Sequence, residues 1–266
     1  MYTSADHTFV VCAYKENPYL EETILSLESQ EDLGSILIST STPNDYIRRI
    51  CEKHDIQMIV NPKPHLAGDD WNYGYDAADT PLVTIAHQDD LYEPGYLRMV
   101  LDAFNRYSPD EVSLVFTDYY EIRSGEKVCN NALLSIKRKM NWPFRYSKLN
   151  GLKFVKRRVL AFGDSICCPS VTLCKGVAGD SVFDTEFVNS CDYKTWVDLA
   201  NARGRFVYIP ERLMCHRIYE ESATTKNLEA DIRKGEDRAI MSTLWPRPVA
   251  SAINSIYALS EKSNKV

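Results

Sequence analysis

The sequence predicts an α/β protein with a doubly wound, mostly parallel sheet flanked by helices. Three observations carry this. Short apolar runs alternate with amphipathic stretches from His7 to Thr117. Those runs are apolar at consecutive positions, as strands buried on both faces require. The strongest of them, Leu82-Val83-Thr84-Ile85-Ala86, leads through His87 and Gln88 into two adjacent carboxylates, Asp89 and Asp90. Strand ends of a parallel sheet share one edge, and α/β proteins bind ligands there.

Taken in order, Phe9 to Ala13 forms the first strand within the stretch His7 to Ala13. Asn17 offers an N-cap and Pro18 the first helical position, and Leu20, Ile24 and Leu27 make an apolar stripe as far as Gln30. Ile36-Leu37-Ile38 is the second strand, ending in Ser39-Thr40-Ser41-Thr42. A helix from about Pro43 to His54 turns Ile47, Ile50 and Cys51 inward. Met58-Ile59-Val60 is the third strand. A polar loop, Asn61 to Gly68, precedes a helix from Asp69 to Ala78. After the fourth strand, a helix from Pro94 to Tyr107 leads to the fifth, Val112 to Thr117.

Beyond Asp118 the alternation loosens. Phe162 to Leu173 reads as a loop running into a short strand. Asp192 precedes an apolar helical face at Trp196, Leu199 and Ala200. Phe206 to Pro210 reads as another strand, followed by Cys215-His216-Arg217-Ile218-Tyr219. A helix is expected over Asp231 to Leu244, broken by Trp245-Pro246-Arg247-Pro248. A last one is expected over Ser251 to Ser260, with a frayed tail from Glu261.

Composition bounds the function. With 266 residues, 44% hydrophobic and 26% charged, the chain is an ordinary globular protein. A formal net charge of −6 argues against nucleic acid as a partner. Met1 to Thr8 lacks the basic start and apolar core of a signal peptide, and no apolar run is long enough to span a membrane. The eight cysteines show no zinc-binding spacing and are expected to be reduced. One window breaks the acidic balance: from Lys127 to Gly163 there are ten Lys and Arg and no Asp or Glu, with Trp142, Phe144 and Tyr146 interleaved. It reads either as a solvated loop and helix face, or as a patch for an anionic acceptor, phospholipid headgroups or a diphosphate.

Two carboxylates at a strand end repel each other. A divalent cation relieves that, and hard oxygen ligands suit Mg²⁺ or Mn²⁺. The alternative is an N-cap for the helix that follows. Asp192 is likewise either a general base or a helix cap. Asp69 and Asn72 either line a pocket or cap their own helix, and Asp118, at the end of the fifth strand, has the same standing.

Five motifs in order resemble glycosyltransferase family 2, over about residues 8 to 232. They are Val10 to Leu20 with Ser26 to Gln30, Asp70-Trp71-Asn72-Tyr73-Gly74, His87-Gln88-Asp89-Asp90, Cys191-Asp192, and His216-Arg217 with Ser222-Ala223-Thr224. The resemblance implies the GT-A fold, Rossmann-like with an acceptor-binding C-terminal part. It divides the chain into a nucleotide-sugar-binding half (1–120), an acceptor-binding and catalytic half (121–232) and a helical extension (233–266). It implies transfer, with inversion, from a nucleoside-diphosphate sugar, UDP foremost, to a saccharide or lipid-linked saccharide acceptor in surface polysaccharide synthesis. Mn²⁺ or Mg²⁺ would sit on Asp89, Asp90 and His216, and Asp192 would be the base. Ala13, Tyr14, Glu16, Thr40, Asp69, Asn72, His87, Gln88 and Arg217 would bind the donor. The expected location is cytoplasmic, with peripheral contact at the inner face of a membrane left open.

The chain departs from the family pattern at four points. His87 replaces the first acid of Asp-x-Asp, Cys191 replaces the Glu before Asp192, no acid follows the second strand, and Tyr219 stands where a histidine is common. A sugar nucleotidyltransferase is disfavoured, because Tyr14-Lys15-Glu16-Asn17 contains no glycine to cradle a triphosphate. A non-catalytic sugar or lipid-phosphate binder on the same fold remains the alternative.

Overall fold

The computed structural model describes residues 1–219 and 227–261. The Ser222-Ala223-Thr224 motif and the tail beyond Glu261 lie outside the described residues. The first half runs β1 (His7–Ala13), α1 (Leu20–Glu28), β2 (Ser35–Thr40), α2 (Asp45–His54), β3 (Gln57–Val60), α3 (Ala67–Ala77), β4 (Leu82–His87), β5 (Leu91–Tyr92) and α4 (Tyr96–Phe104). The second runs β6 (Val112–Arg123), β7 (Glu126–Val128), α5 (Ala132–Asn141), α6 (Lys153–Leu160), β8 (Val171–Cys174), α7 (Lys175–Ala178), α8 (Cys191–Asn201), β9 (Arg205–Ile218), α9 (Asn227–Met241) and α10 (Arg247–Glu261).

One sheet joins the strands in the order β3-β2-β1-β4-β8-β6-β9-β5, with β7 paired to β6. β1, β2, β3 and β4 are parallel neighbours, as are β6 and β9. The consecutive apolar runs of β1 and β4 are buried on both faces, which fits their place in mid-sheet. Val10, Ile85, Phe116 and Trp196 pack on one side, and Phe9, Val11, Ile24, Ile47 and Leu97 on the other.

The sheet is mixed rather than wholly parallel. β8 runs antiparallel between β4 and β6, so its amino end, not its carboxyl end, lies beside the end of β4. Apolar patterning signals a strand but not its direction. The consequence is functional: the Cys168–Ser170 turn ahead of β8 is brought to the same edge as Asp90. There Tyr92 donates to the Pro169 carbonyl at 2.7 Å and Tyr96 to that of Ser170 at 3.1 Å.

Two strands are longer than their apolar runs. β6 continues past Thr117 to Arg123, because the acids in its path are paired: Asp118 with Arg138 (2.6 Å) and Arg212 (3.3 Å), and Glu121 with Arg123 (2.8 Å) and Asn131 (2.6 Å). β9 continues through Pro210 to Ile218. Its register with β6 jumps from Thr117↔Ile209 to Asp118↔Arg212, so Pro210 and Glu211 form a bulge where a missing N–H costs nothing. The basic window folds into α5, a 3-10 turn (Trp142–Arg145) and α6. The last helix begins at Arg247, earlier than expected, since Pro248 suits a first turn.

Helix α3 lies close on β1 and β2 because Gly74 faces them: a Cβ there would stand 2.5 Å from Val10 Cγ1 and 3.0 Å from Ser39 Cβ. Overpacking of this kind costs about 1–3 kcal/mol, against roughly 1 kcal/mol gained in helix propensity. Gly74→Ala is therefore expected to lower the thermal unfolding temperature. An unchanged or raised temperature would show that α3 does not press on the sheet.

Candidate active site

The end of β4 delivers His87, and the short loop to β5 delivers Gln88, Asp89 and Asp90. Ligand atoms of His87, Asp89 and Asp90 all lie within 4.8 Å of one another. The Asp90 side chain is wholly buried. It accepts the backbone N–H of Arg217 at 2.8 Å, and His216 Nδ1 lies 3.1 and 3.2 Å from its two oxygens. His87 Nδ1 is 3.8 Å away. Burial alone would push the Asp90 pKa up. The His216 imidazole and the Arg217 N–H outweigh it, and the carboxyl sits below its ordinary value. The same contact, working against the burial of His216, raises the imidazole's pKa.

Asp89 is in the opposite condition. Burial, then the neighbouring Asp90, raise its pKa, while the imidazoles of His87 and His216 and the Tyr219 hydroxyl oppose the shift. Tyr219 donates to Asp89 Oδ2 at 2.7 Å and accepts from Asn17 Nδ2 at 3.1 Å. A carboxylate raised by burial and a neighbouring acid is a group that gains from a cation. A second sign is His87 Nε2, which is buried without a hydrogen-bond partner while its ring stacks on Trp71 at 5.3 Å. If His216 Nδ1 carries the proton shared with Asp90, its Nε2 keeps a lone pair, the carboxylate–histidine arrangement that serves metal ligands. The donor set thus fits a divalent cation. Asp89 and Asp90 do not cap the following helix, since α4 starts only at Tyr96.

Arg217 is more committed than expected. Its guanidinium donates to the Asp89 carbonyl (2.8 Å) and to Glu22 (2.8 Å), and stacks over the Tyr19 ring at 3.9 Å. Gln88 clasps the end of β1, accepting from the Tyr14 N–H at 2.9 Å and donating to its carbonyl at 3.1 Å. Asn72 exchanges two 2.8 Å bonds with the backbone of Phe183. Asp69 accepts the Leu66 N–H at 2.9 Å and so ties down the start of α3. Ala13 and Thr40 are buried at the ends of β1 and β2, and Thr40 Oγ1 accepts the Thr42 N–H at 3.1 Å. Tyr14 and Glu16 are exposed beside them.

Asp192 lies in the first turn of α8, half-buried, and accepts the Tyr193 N–H at 2.8 Å. Its neighbour by charge is Asp164, a residue without any sequence signal. Asp164 is buried, and burial, then Asp192, push its pKa up to about 8. The Cys167 thiol is raised chiefly by burial and further by Asp90, Asp164 and Asp192, with Lys137 opposing the shift. Tyr219, Glu22, Trp71 and Asp164 all escaped sequence reasoning. Only Trp71 stood inside a motif, and Tyr219 was visible as a departure from one.

A family model for glycosyl transferase family 2 matches residues 8–175. No curated protein sequence matches the chain. Among solved structures, S. aureus TarS 1–349 in complex with UDP-GlcNAc is similar at a TM-score of 0.67 and 13% identity, over 97% of this chain and 73% of that one. The mannosyltransferase PcManGT from Pyrobaculum calidifontis, with GDP-Man and Mn²⁺, is similar at 0.63 and 14%, over 98% and 76%. Glucosyl-3-phosphoglycerate synthase from Mycobacterium tuberculosis, with Mn²⁺, UDP and glucosyl-3-phosphoglycerate, follows at 0.56 and 12%, over 90% and 80%. At such identities the structures speak for the fold. The family model covers more than half of the residues, and on that evidence the chain belongs to glycosyl transferase family 2, with the GT-A fold.

Proposed function

We propose that the protein moves a sugar from a nucleoside-diphosphate sugar to a hydroxyl acceptor, with inversion, in the assembly of a surface polysaccharide. The observation that carries this is the His87, Asp89 and Asp90 cluster at the end of β4, in a chain whose family transfers sugars. Similar folds hold UDP-GlcNAc and GDP-Man. UDP is the first donor to test, and GDP is tested beside it because the end of β2 and the residues after it, Ser39 to Thr42, offer no acid to hold a uracil.

Mn²⁺ or Mg²⁺ would be held by Asp89, with His87, Asp90 and His216 around it. Bound there, the cation supplies Lewis-acid charge to a leaving diphosphate. The chain's own residues do the rest. Asp90 fixes His216 and the Arg217 backbone, and Arg217 in turn fixes the Asp89 carbonyl. Ala13, Tyr14, Glu16 and Thr40 form the seat for base and ribose. Gln88, Asp69 and Asn72 act on it indirectly, by holding the Tyr14 backbone, the start of α3 and the Phe183 loop.

Inversion needs a base on the face opposite the leaving group. We assign Asp192. Asp164 keeps its proton at neutral pH, which removes a like charge from beside Asp192 and leaves that carboxylate free to take the acceptor's proton.

Three outcomes follow from these assignments. Asp192→Asn should lower transfer by about 10²–10⁴-fold and leave calorimetric binding of donor unchanged; turnover at the wild-type rate would remove Asp192 from the role. Asp89→Asn should weaken Mn²⁺-dependent binding of UDP- and GDP-sugars by more than about 10-fold, with no loss of unfolding temperature. Undiminished Mn²⁺-dependent binding would place the cation elsewhere. Asp164 has a folded pKa near 8 against an ordinary 3.8, so in that window the unfolded chain binds fewer protons, and stability falls as pH rises. Asp164→Asn should flatten that fall in thermal unfolding measured across the window. Parallel slopes for the two proteins would mean that Asp164 ionises normally.

A further inference from the structure

We infer that the surface formed by α5, the Trp142–Arg145 turn and α6 docks on an anionic lipid bilayer. Residues 127–163 hold ten of the chain's 31 Lys and Arg and none of its 37 Asp and Glu. The fold divides the ten into two groups. Lys127 pairs with Glu93, Arg138 with Asp118, and Arg157 with Asn201. Lys156 is buried, donating to the carbonyls of Leu199, Ala202 and Gly204 at 2.8–3.3 Å, and Lys137 sits over the Tyr119 ring. The other five, Lys139, Arg145, Lys148, Lys153 and Arg158, have no acidic partner among the described residues.

Large apolar side chains stand out between these cations. Phe154 is 71% exposed, and Ile136, Trp142, Leu152 and Phe162 are each about half exposed. Between α5 and α6 lies an apolar groove of about 520 Å³ whose wall includes Ile136, Met140, Phe154 and Phe162, with Lys139 and Arg158 in its lining. Protruding aromatic and aliphatic groups among cations that lack an acidic partner are what an interfacial contact uses: apolar tips enter the headgroup boundary and the cationic heads stay with the phosphates. The rest of the chain is net acidic, so the attraction to an anionic surface is confined to this face and orients the molecule on it. The groove and the exposed side chains around it are apolar while Lys139 and Arg158 line its edge, and an anionic bilayer matches both, offering acyl chains to the groove and phosphates to the cations.

The platform is joined to the candidate site. Lys137, on the same helix as Ile136, lies 5.9 Å from the Tyr119 ring centre, and that ring is edge-on to His216 at 6.4 Å. Docking therefore fixes the site relative to the membrane. That the acceptor is a bilayer-borne hydroxyl rests on the transferase reading; the docking itself does not.

The test is flotation of the full chain with vesicles of phosphatidylcholine alone, and with vesicles mixing it equally with phosphatidylglycerol, without donor or acceptor. The wild type is expected to float with the mixed vesicles and not with the neutral ones. Lys139→Gln/Lys148→Gln/Lys153→Gln should weaken that binding by on the order of 10–100-fold, and Phe154→Ser by roughly fivefold. Each variant should keep the wild-type unfolding temperature and its Mn²⁺-dependent binding of UDP or GDP. Absence of flotation, equal flotation with both vesicles, or variants that float like the wild type would each overturn the inference. A failed transferase reading has a different signature, namely no nucleotide binding while flotation persists.

Discussion

The buried carboxylate of Asp90 is the contact on which the site depends. It comes from the first half of the chain and receives an N–H and an imidazole from residues more than 120 positions later, on β9. An ionised group without solvent is tolerated only when hydrogen-bonded and charge-compensated. His216 and Arg217 provide both. The consequence is geometric: β9 cannot drift from the end of β4 without exposing an uncompensated charge in the interior. Everything attached to β9 at that level, including the Tyr219 hydroxyl on Asp89, is thereby fixed.

The adjacent acid shows how two neighbours take different roles from their surroundings. Asp90 is saturated and held below its ordinary pKa, whereas Asp89 is half-buried, accepts the Tyr219 hydroxyl and is held above it. The first is a structural anchor and the second is a group waiting for positive charge. Arg217 does not supply that charge to the Asp89 carboxylate, because its guanidinium is spent on a carbonyl, Glu22 and Tyr19. The electrostatics of the pair therefore point to a cation from outside the chain.

How much of this was legible in the residues depended on the scale of the signal. Parallel strands buried in mid-sheet announce themselves as apolar runs, so β1, β2, β4 and the approach to Asp89 could be read directly, as could the partly exposed edge strand β3 from the short run Met58-Ile59-Val60. Strands that carry paired charge could not. Asp118 and Glu121 look like the end of β6 until Arg138, Arg212, Arg123 and Asn131 are seen to satisfy them. Pro210 looks like the end of β9 until the bulge opposite Asp118 is known. The direction of β8 has no local signature at all. The residues that sequence reasoning missed at the site, Glu22, Tyr219 and Asp164, reach it only through those long-range pairings. Motif spacing did bring His87, Asp89, Asp90 and His216 together. It did not distinguish Asn72, which is engaged with the Phe183 backbone, from a residue free to meet a ligand.

The basic window makes the same point about charge. Composition counts its ten cations alike, but the fold spends Lys156 on closing the end of α8, and Arg138 on a buried acid that lets β6 continue. These serve stability, and their charge is locally cancelled or desolvated. The cations that remain, on α5, α6 and the segment between them, lie beside apolar groups that the core did not absorb. A field at the surface is made by what folding leaves over, so the part of the window able to act on a partner is set by the pairing inside it, and α5, which contributes Lys139 to that field, also places Lys137 over the Tyr119 ring, which in turn lies edge-on to His216.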